Sequence, residues 1–455
     1  MAENRLFASL IIFLATLLYG LEISPNLVYQ IETSKYEFSY EFYIKNDVPD
    51  NSLIKIEIID FITDGRNYSF GEPDYKYSLR NYVSLFESEM TLGVDEQKPV
   101  RLRFNVPQDF PGATGVFALR ITQQSASGGK FQIRLSYIIP FFVRFTTVPI
   151  FQSIVIKNLF VRDLSSEPDD KFGDYGSLIT LEIENNGNIA FIPKGSIVIS
   201  SQELKTTITE VLVDSFDLVI FPERKTYYSF YVPHIMPSGM ISVNLSGKSY
   251  GQNFDTTFSK RIENSTNTTI INSEKKILLF SEKNKSGIYT LEIQNLSPIK
   301  TTIFPEADDR LISFIPKKSI LYPYRSTSFN VRILTKDFDF LGDRVFPLTF
   351  KPESTMAIRD ANPSYIILRG KSIRPSLSGR IESSKTSSTL VVFNTGDCVL
   401  HFDVIYNNQK LNEEPLIIFP NQTINLDFGR LINKNQLKVV YGPYNEDRKL
   451  TLEEF

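Results

Sequence analysis

One cysteine, two histidines and no tryptophan occur in this chain of 455 residues. The single Cys398 excludes a disulfide framework within the chain and any thiolate zinc site. His234 and His401 lie far apart in sequence, without a partner motif, so imidazole-based catalysis or metal binding is not expected. Neither charge sign dominates: 49 Lys and Arg face 52 Asp and Glu, for a formal net charge of -3. A near-neutral chain offers no basic face for nucleic acid or an anionic membrane surface. No Gly-x-Ser-x-Gly elbow, phosphate loop or dinucleotide fingerprint is present. Acidic clusters occur at Glu167, Asp169, Asp170 and Asp174, at Glu306, Asp308 and Asp309, and at Asp337, Asp339 and Asp343. None follows a calcium-loop spacing, and polar turns between strands supply such clusters freely. The expectation is therefore a chain without catalytic residues, cofactor or metal, and not an enzyme.

Long apolar runs are equally scarce, with one exception at the start. Arg5 precedes an uncharged apolar run from Leu6 to Tyr19, and Gly20 offers a small residue for cleavage. This is the tripartite pattern of a secretory signal. The run is shorter than the roughly 20 residues a spanning helix needs, although an uncleaved N-terminal anchor is the competing reading. Residues 1–21 are thus read as signal peptide or anchor. The protein is expected to be exported, to the periplasm or cell surface, with membrane contact only through this segment if it is retained.

What the chain has in quantity is Phe and Tyr, 36 and 22 residues, set in short runs of period two. Leu53-Ile54-Lys55-Ile56-Glu57-Ile58 alternates, as do Val100-Arg101-Leu102-Arg103-Phe104 and Leu181-Glu182-Ile183-Glu184. Such alternation buries one face of a strand and wets the other. Four of these strands end at an Asn followed by turn formers: Asn46, Asn185, Asn295 and Asn394. Asn tolerates left-handed backbone and caps its own turn, which suits a strand exit. After each comes a turn and a further alternating strand, as at Pro222, Pro323 and Pro420. The spacing suits domains near the size of an immunoglobulin-like sandwich. We therefore expect an all-β chain of tandem immunoglobulin-like β-sandwich domains, spanning 22–148, 149–262, 272–368 and 373–455.

In the first of these, Val106-Pro107 and Pro111-Gly112 stand between alternating strands, and Lys130 to Phe145 reads KFQIRLSYIIPFFVRF. These segments resemble the N-terminal domain of periplasmic pilus chaperones and, more broadly, bacterial exported immunoglobulin-like proteins. Ser313 to Pro316 and Leu321 to Pro323 are similar to the same family. The resemblance implies a non-enzymatic envelope protein, scaffold or chaperone-like factor for pilus or surface assembly. It also implies a cationic grip on a client carboxylate, an Arg on the first strand and a Lys on the last. Here the first strand holds Lys35 but no Arg, while Lys130, Arg134 and Arg144 offer cations on the last.

The strand opening at Lys130 carries the candidate partner site: Lys130, Ile133, Arg134, Leu135 and Tyr137. Phe131, Ile133, Leu135 and Tyr137 share one face. As a terminal strand it can accept a strand of an envelope or pilus protein, with backbone bonds giving affinity and alternate side chains specificity. The same row can instead complete the first domain's own core. An adhesive or carbohydrate-binding surface protein is the alternative function, with Tyr36, Tyr40 and Tyr43 or Tyr227, Tyr228 and Tyr231 as sugar-stacking candidates. Because Cys398 has no partner in the chain, reducing agent is expected to leave the melting temperature of the monomer unchanged. Calorimetry with and without reductant checks this, and a shift of several degrees contradicts it.

Overall fold

The computed structural model describes residues 21–452, apart from 25–27, 48–49, 64–67, 70–74, 126–133, 170, 215–216, 265–267, 274–276, 283–287, 308–310, 335–337, 354–356, 385–386, 408 and 430. The apolar segment before Leu21 lies outside the described residues. Strands dominate, and among the described residues no helix is long and apolar enough to cross a membrane. The protein is a tandem of immunoglobulin-like β-sandwiches, in two compact units, Met1–Ser265 and Thr266–Phe455.

The first sandwich comprises β1 (Leu21–Ser24), β2 (Tyr29–Thr33), β3 (Glu37–Asn46), β4 (Ser52–Ile59), β5 (Ile62–Thr63), β6 (Tyr68–Ser69), β7 (Val83–Leu85), β8 (Glu89–Leu92), β9 (Gln97–Asn105), β10 (Thr114–Ser125) and β11 (Arg134–Phe145). One sheet runs β1-β3-β9-β7 and the other β2-β11-β10-β4-β8. The entering chain thus serves both sheets, with β1 antiparallel to β3 and β2 parallel to β11. Alternation places Phe42, Ile44, Ile54, Ile56, Leu102 and Phe104 in the core between them. It lapses at Val116 to Leu119, where β10 is buried on both faces. There the segment Tyr75–Leu79 lies along the strand, with the Val116 N–H donating to the Tyr77 carbonyl and Leu79 N–H to the Val116 carbonyl.

The second sandwich holds β12 (Ile154–Asp163), β13 (Ser177–Asn185), β14 (Lys194–Ser201), β15 (Thr206–Val213), β16 (Arg224–Val232), β17 (Gly239–Ser249) and β18 (Gln252–Ile262). Its sheets are β12-β13-β16 and β15-β14-β17-β18. The third contains β19 (Thr268–Ser273), β20 (Ile277–Phe280), β21 (Ile288–Asn295), β22 (Thr301–Ala307), β23 (Ile312–Ile315), β24 (Ser319–Leu321), β25 (Ser326–Ile333), β26 (Asp343–Pro352), β27 (Ala357–Asp360) and β28 (Tyr365–Arg369). They form β23-β25-β21-β19-β27 and β20-β28-β26-β22-β24. The fourth is built from β29 (Leu377–Ser383), β30 (Ser388–Asn394), β31 (Leu400–Tyr406), β32 (Gln409–Lys410), β33 (Leu416–Ile418), β34 (Thr423–Asp427), β35 (Leu437–Pro443) and β36 (Leu450–Leu452). Its sheets are β29-β30-β34 and β32-β31-β35-β36, with β33 also on β31.

The four strand-ending asparagines do more than cap a turn. Each is the last residue of its strand and is fully buried. At Asn185, Asn295 and Asn394 the side-chain carbonyl accepts the N–H two residues on, from Gly187, Ser297 and Gly396, each at 2.9 Å. The same amide donates to the carbonyl four residues on, at Ile189, Ile299 and Cys398. It donates a second bond across the sandwich, to Ile220, Tyr322 and Ile418. Asn46 keeps the bond to the fourth residue, Asp50, and adds one to Gly93, while Ser52 and Gln123 donate to its carbonyl. The left-handed backbone expected at these asparagines occurs instead on the facing turn, at Asp95, Glu223, Tyr324 and Asn421.

Two of the corners also make joints. The carbonyl of Asn188, three residues after Asn185, accepts the Ala113 N–H of the first sandwich at 2.9 Å, and its side chain accepts the Phe151 N–H. Asp397, three residues after Asn394, accepts the Asp343 N–H of the third sandwich at 2.7 Å, and its side chain accepts the Arg374 N–H. A Cβ on Gly187 or Gly396 would lie 2.3 or 2.4 Å from the Phe151 or Arg374 carbonyl oxygen, so only glycine fits.

An amide that joins three backbone segments leaves several buried groups unsatisfied when removed. Asn295→Ala is expected to cost more than about 2 kcal/mol by denaturant titration, whereas Ala at the exposed Asn330 changes stability by less than about 0.5 kcal/mol. Equal effects at the two sites would contradict the corner's role.

Candidate functional site

The candidate site is the outer edge of β11. This strand pairs with β10 in unbroken register, from Thr114 opposite Arg144 to Gln124 opposite Arg134. The direction of its backbone groups follows from its ends. The Phe145 N–H donates toward β10, to the Ala113 carbonyl, and the Thr146 N–H donates the other way, to the carbonyl of Thr33, the last residue of β2. Direction alternates along a strand, so odd residues of β11 bond β10 and even residues aim outward.

On that outer side β2 covers only Phe141 to Phe145. Among the described residues no strand pairs with the edge from Arg134 to Pro140. Arg134, Ser136 and Ile138 therefore aim both N–H and C=O groups outward, and Pro140 only its C=O. Proline can stand there because its missing N–H falls on the unpaired side.

Side chains alternate accordingly. Ile139, Phe141, Val143 and Phe145 enter the core, and Phe141 stacks between Tyr29 and Phe117. Tyr137 continues this row, packs on the core and accepts the Leu21 N–H on its hydroxyl at 3.3 Å. Leu135, one step further out, is half-buried. On the other face Phe142 is buried against Phe221 of the second sandwich, with ring centres 6.0 Å apart, and Ser136 is exposed. Of the five residues picked from sequence, Lys130 and Ile133 lie outside the described residues. Arg134 opens the described strand opposite Gln124, and Leu135 and Tyr137 share its inner face. From Tyr137 onward the apolar row serves the sandwich's own core, so what stands open is backbone. Sequence reasoning expected backbone pairing here but missed Ser136 and Ile138, because which N–H groups aim outward follows from the register on β10.

The cations cluster less than the resemblance implies. Arg144 forms an ion pair with Glu32 of β2 at 2.8 Å and lies over the Tyr250 ring at 5.6 Å. Burial pushes the Tyr250 phenol up to about 12. Lys35 is exposed in the turn between β2 and β3.

The tyrosines proposed as a sugar platform are engaged internally. Tyr36 stacks on Phe145, Tyr40 packs edge-on to Phe141, and Tyr43 donates to Glu41. Tyr231 stacks on Phe172, Tyr228 tilts against Phe230, and the Lys225 ammonium lies over Tyr227. Among the described residues no three His, Cys, Asp or Glu side chains gather to hold a metal. Asp169, in the most acidic loop, pairs with Arg162 and caps the Lys171 and Phe172 N–H groups. Cys398 is buried, its thiol pushed up to about 12 by that burial, with the Asp343 carboxylate adding to the effect.

Solved structures similar to this chain include fimbrial and periplasmic chaperones. The YadV chaperone aligns at TM-score 0.31 and 10% identity, over 53% of this chain and 99% of its own. The class 5 fimbriae chaperone CfaA aligns at 0.30 and 14%, over 54% and 100%. The CsuC–CsuE chaperone–tip adhesion subunit pre-assembly complex of Acinetobacter baumannii aligns at 0.29 and 14%, over 52% and 98%. No protein-family model and no curated protein matches the sequence.

His234 is buried after β16, beside the fully buried Ile235 and Met236. Burial pushes its imidazole down to about 4. The unfolded chain, with an ordinary value near 6.5, then binds the proton more tightly than the fold. Stability is expected to fall as pH drops from about 6.5 toward 4, and His234→Gln should flatten that part of the profile. Denaturant midpoints at pH 7 and pH 5 check this; an unchanged difference in the variant contradicts it.

Proposed function

We propose that this protein is a non-enzymatic exported factor that makes protein–protein contacts in the cell envelope, as scaffold or chaperone-like helper of pilus or surface assembly. In this reading it has four immunoglobulin-like domains, divided near residues 148, 262–272 and 368–373. Its partner adds a strand beside β11. The observation that carries the reading is the outer edge from Arg134 to Pro140, unpaired among the described residues, with its outward backbone groups at Arg134, Ser136 and Ile138.

The physics of such an edge is specific. Each added hydrogen bond contributes about 0.5–1.5 kcal/mol net, so a short ladder supplies a few kcal/mol. The partner's inward side chains would meet the half-buried Leu135 beside the core, and apolar burial there supplies the rest. The edge does not rearrange to receive them, because β10 and the packed half of β11 hold it straight.

The test uses the outward donors. Replacing Ser136 and Ile138 together by Pro removes two N–H groups that face away from β10 and leaves the β10 ladder complete. The tagged full chain is purified from its own cells, and co-purifying envelope proteins are measured by quantitative mass spectrometry. The double variant is expected to melt within about 3 °C of the parent, a shift below ~1 kcal/mol, and to lose its partner at least tenfold. A variant that melts unchanged and keeps its partner refutes strand addition at β11.

A further inference from the structure

The two compact units are built to one plan. In the first sandwich the sheets run β1-β3-β9-β7 and β2-β11-β10-β4-β8. In the third, β19, β21, β25 and β23 repeat the first order, and β20, β28, β26, β22 and β24 repeat the second. The joint to the following sandwich is also repeated, as Asn188 on Ala113 and Asp397 on Asp343. The second unit thus reproduces the two-sandwich module of the first.

One strand breaks the correspondence, and it is the counterpart of the open edge. β11 is continuous from Arg134 to Phe145, whereas its equivalent is split into β27 and β28. β28 keeps its antiparallel place on β26, and β20 covers it from Ile277 to Phe280. β27 has left that sheet and lies parallel to β19, Thr268 to Ile271 opposite Ala357 to Asp360. The crossing is pinned by polar groups. The Ala361 N–H donates to the Ile271 carbonyl, and the Asn362 amide donates to Asn272 at 2.6 Å. Ser273 bonds the Asn362 carbonyl and shares a bond with buried Ser364, while the Asp360 carboxylate accepts the Asn362 N–H.

We propose that the second module withholds this edge from strand addition by its own first strand: β19 occupies in cis the edge of β27 whose counterpart on β11 has no strand partner among the described residues. Of these two equivalent edges, the one at β11 is then the acceptor. This rests on the reading of β11 as an acceptor, and the test separates the two.

Alternation again supplies the probe. The Ile270 carbonyl and N–H face Leu296 and Ser297, so Thr269 and Ile271 face β27, as the Ala361 bond shows. Hydrogen–deuterium exchange of the full chain is read by mass spectrometry at single amides within 134–140 and 357–361. Fast exchange at Ser136 and Ile138, with the β19-facing amides of Arg359 and Ala361 at least about tenfold slower, supports the proposal. If Arg359 and Ala361 exchange as fast as Ser136 and Ile138, the second edge is open and the proposal fails. Slow exchange at both pairs defeats the acceptor edge at β11 and leaves the closure by β19 standing. Thr269→Pro removes one N–H aimed at β27 and none aimed at β21. It is expected to raise exchange in 357–361 at least about tenfold while 343–347 and 365–369 stay protected, which reports that the sandwich remains folded. Unchanged protection of 357–361 in a folded variant shows that β19 is not the closing strand. Should that variant unfold, the comparison of the two pairs of amides in the parent chain decides.

Discussion

Each sandwich depends on a carboxamide with no access to water. The asparagines at 46, 185, 295 and 394 sit where a strand ends against the core, and a chain leaving a core there strands backbone carbonyls and N–H groups. A buried polar group without a partner costs about 1–3 kcal/mol, so such an exit needs a matching donor and acceptor. Asparagine offers both from one rigid group. Aspartate has no donor to give, and leucine has neither. The corner fixes the register of the strand leaving it and anchors the facing turn. At Asn188 and Asp397 it further carries the contact on which the next sandwich is seated.

The two joints share this hydrogen bond and then diverge. In the first unit the Tyr75 hydroxyl donates to the Pro222 carbonyl, Lys76 and Tyr77 meet Glu223, and Phe142 meets Phe221. In the second, buried Arg369 makes a two-toothed pair with Asp343 at 2.9 Å and reaches Glu446 and the Tyr444 carbonyl of the next sandwich. Asp343 also accepts the Val399 N–H. A buried pair adds little net stability, but losing one partner strands the other charge, which makes the joint specific in geometry. Neither contact type is confined to one unit: Lys76 pairs with Glu223 in the first, and Tyr365 packs on Phe419 in the second.

Much of this was legible in the sequence. Alternation at Leu53 to Ile58 and Leu181 to Glu184 reports a half-buried strand directly, and the Asn-turn spacing marks the repeat. What escaped was whatever a second layer imposes. Val116 to Leu119 breaks the alternation because the outer face is covered too: Phe142, opposite Val116, packs there on Phe221 of the second sandwich, and nothing local announces that cover. His234 is drawn inside by Ile235 and Met236, which read as ordinary apolar residues. The site was half visible. Period two picked out β11 and its inner row, but which of its backbone groups are bare depends on where β2 stops, some 110 residues away in sequence.

The halves of β11 differ in attachment. From Phe141 to Phe145 it is clamped on both faces and both edges; before Pro140, β10 is the one strand beside it among the described residues, and Ile139 and Tyr137 alone tie it to the core. It is a cantilever, rooted in the core and held along its outer half by one strand. Change at the root is felt by both sandwiches of the module. Along the outer half, Ser136 is exposed, and a substitution there leaves the packing behind it untouched. Under the proposed strand addition, a lineage could therefore exchange one partner for another by altering a few outward positions, without first having to rebuild the protein that presents them.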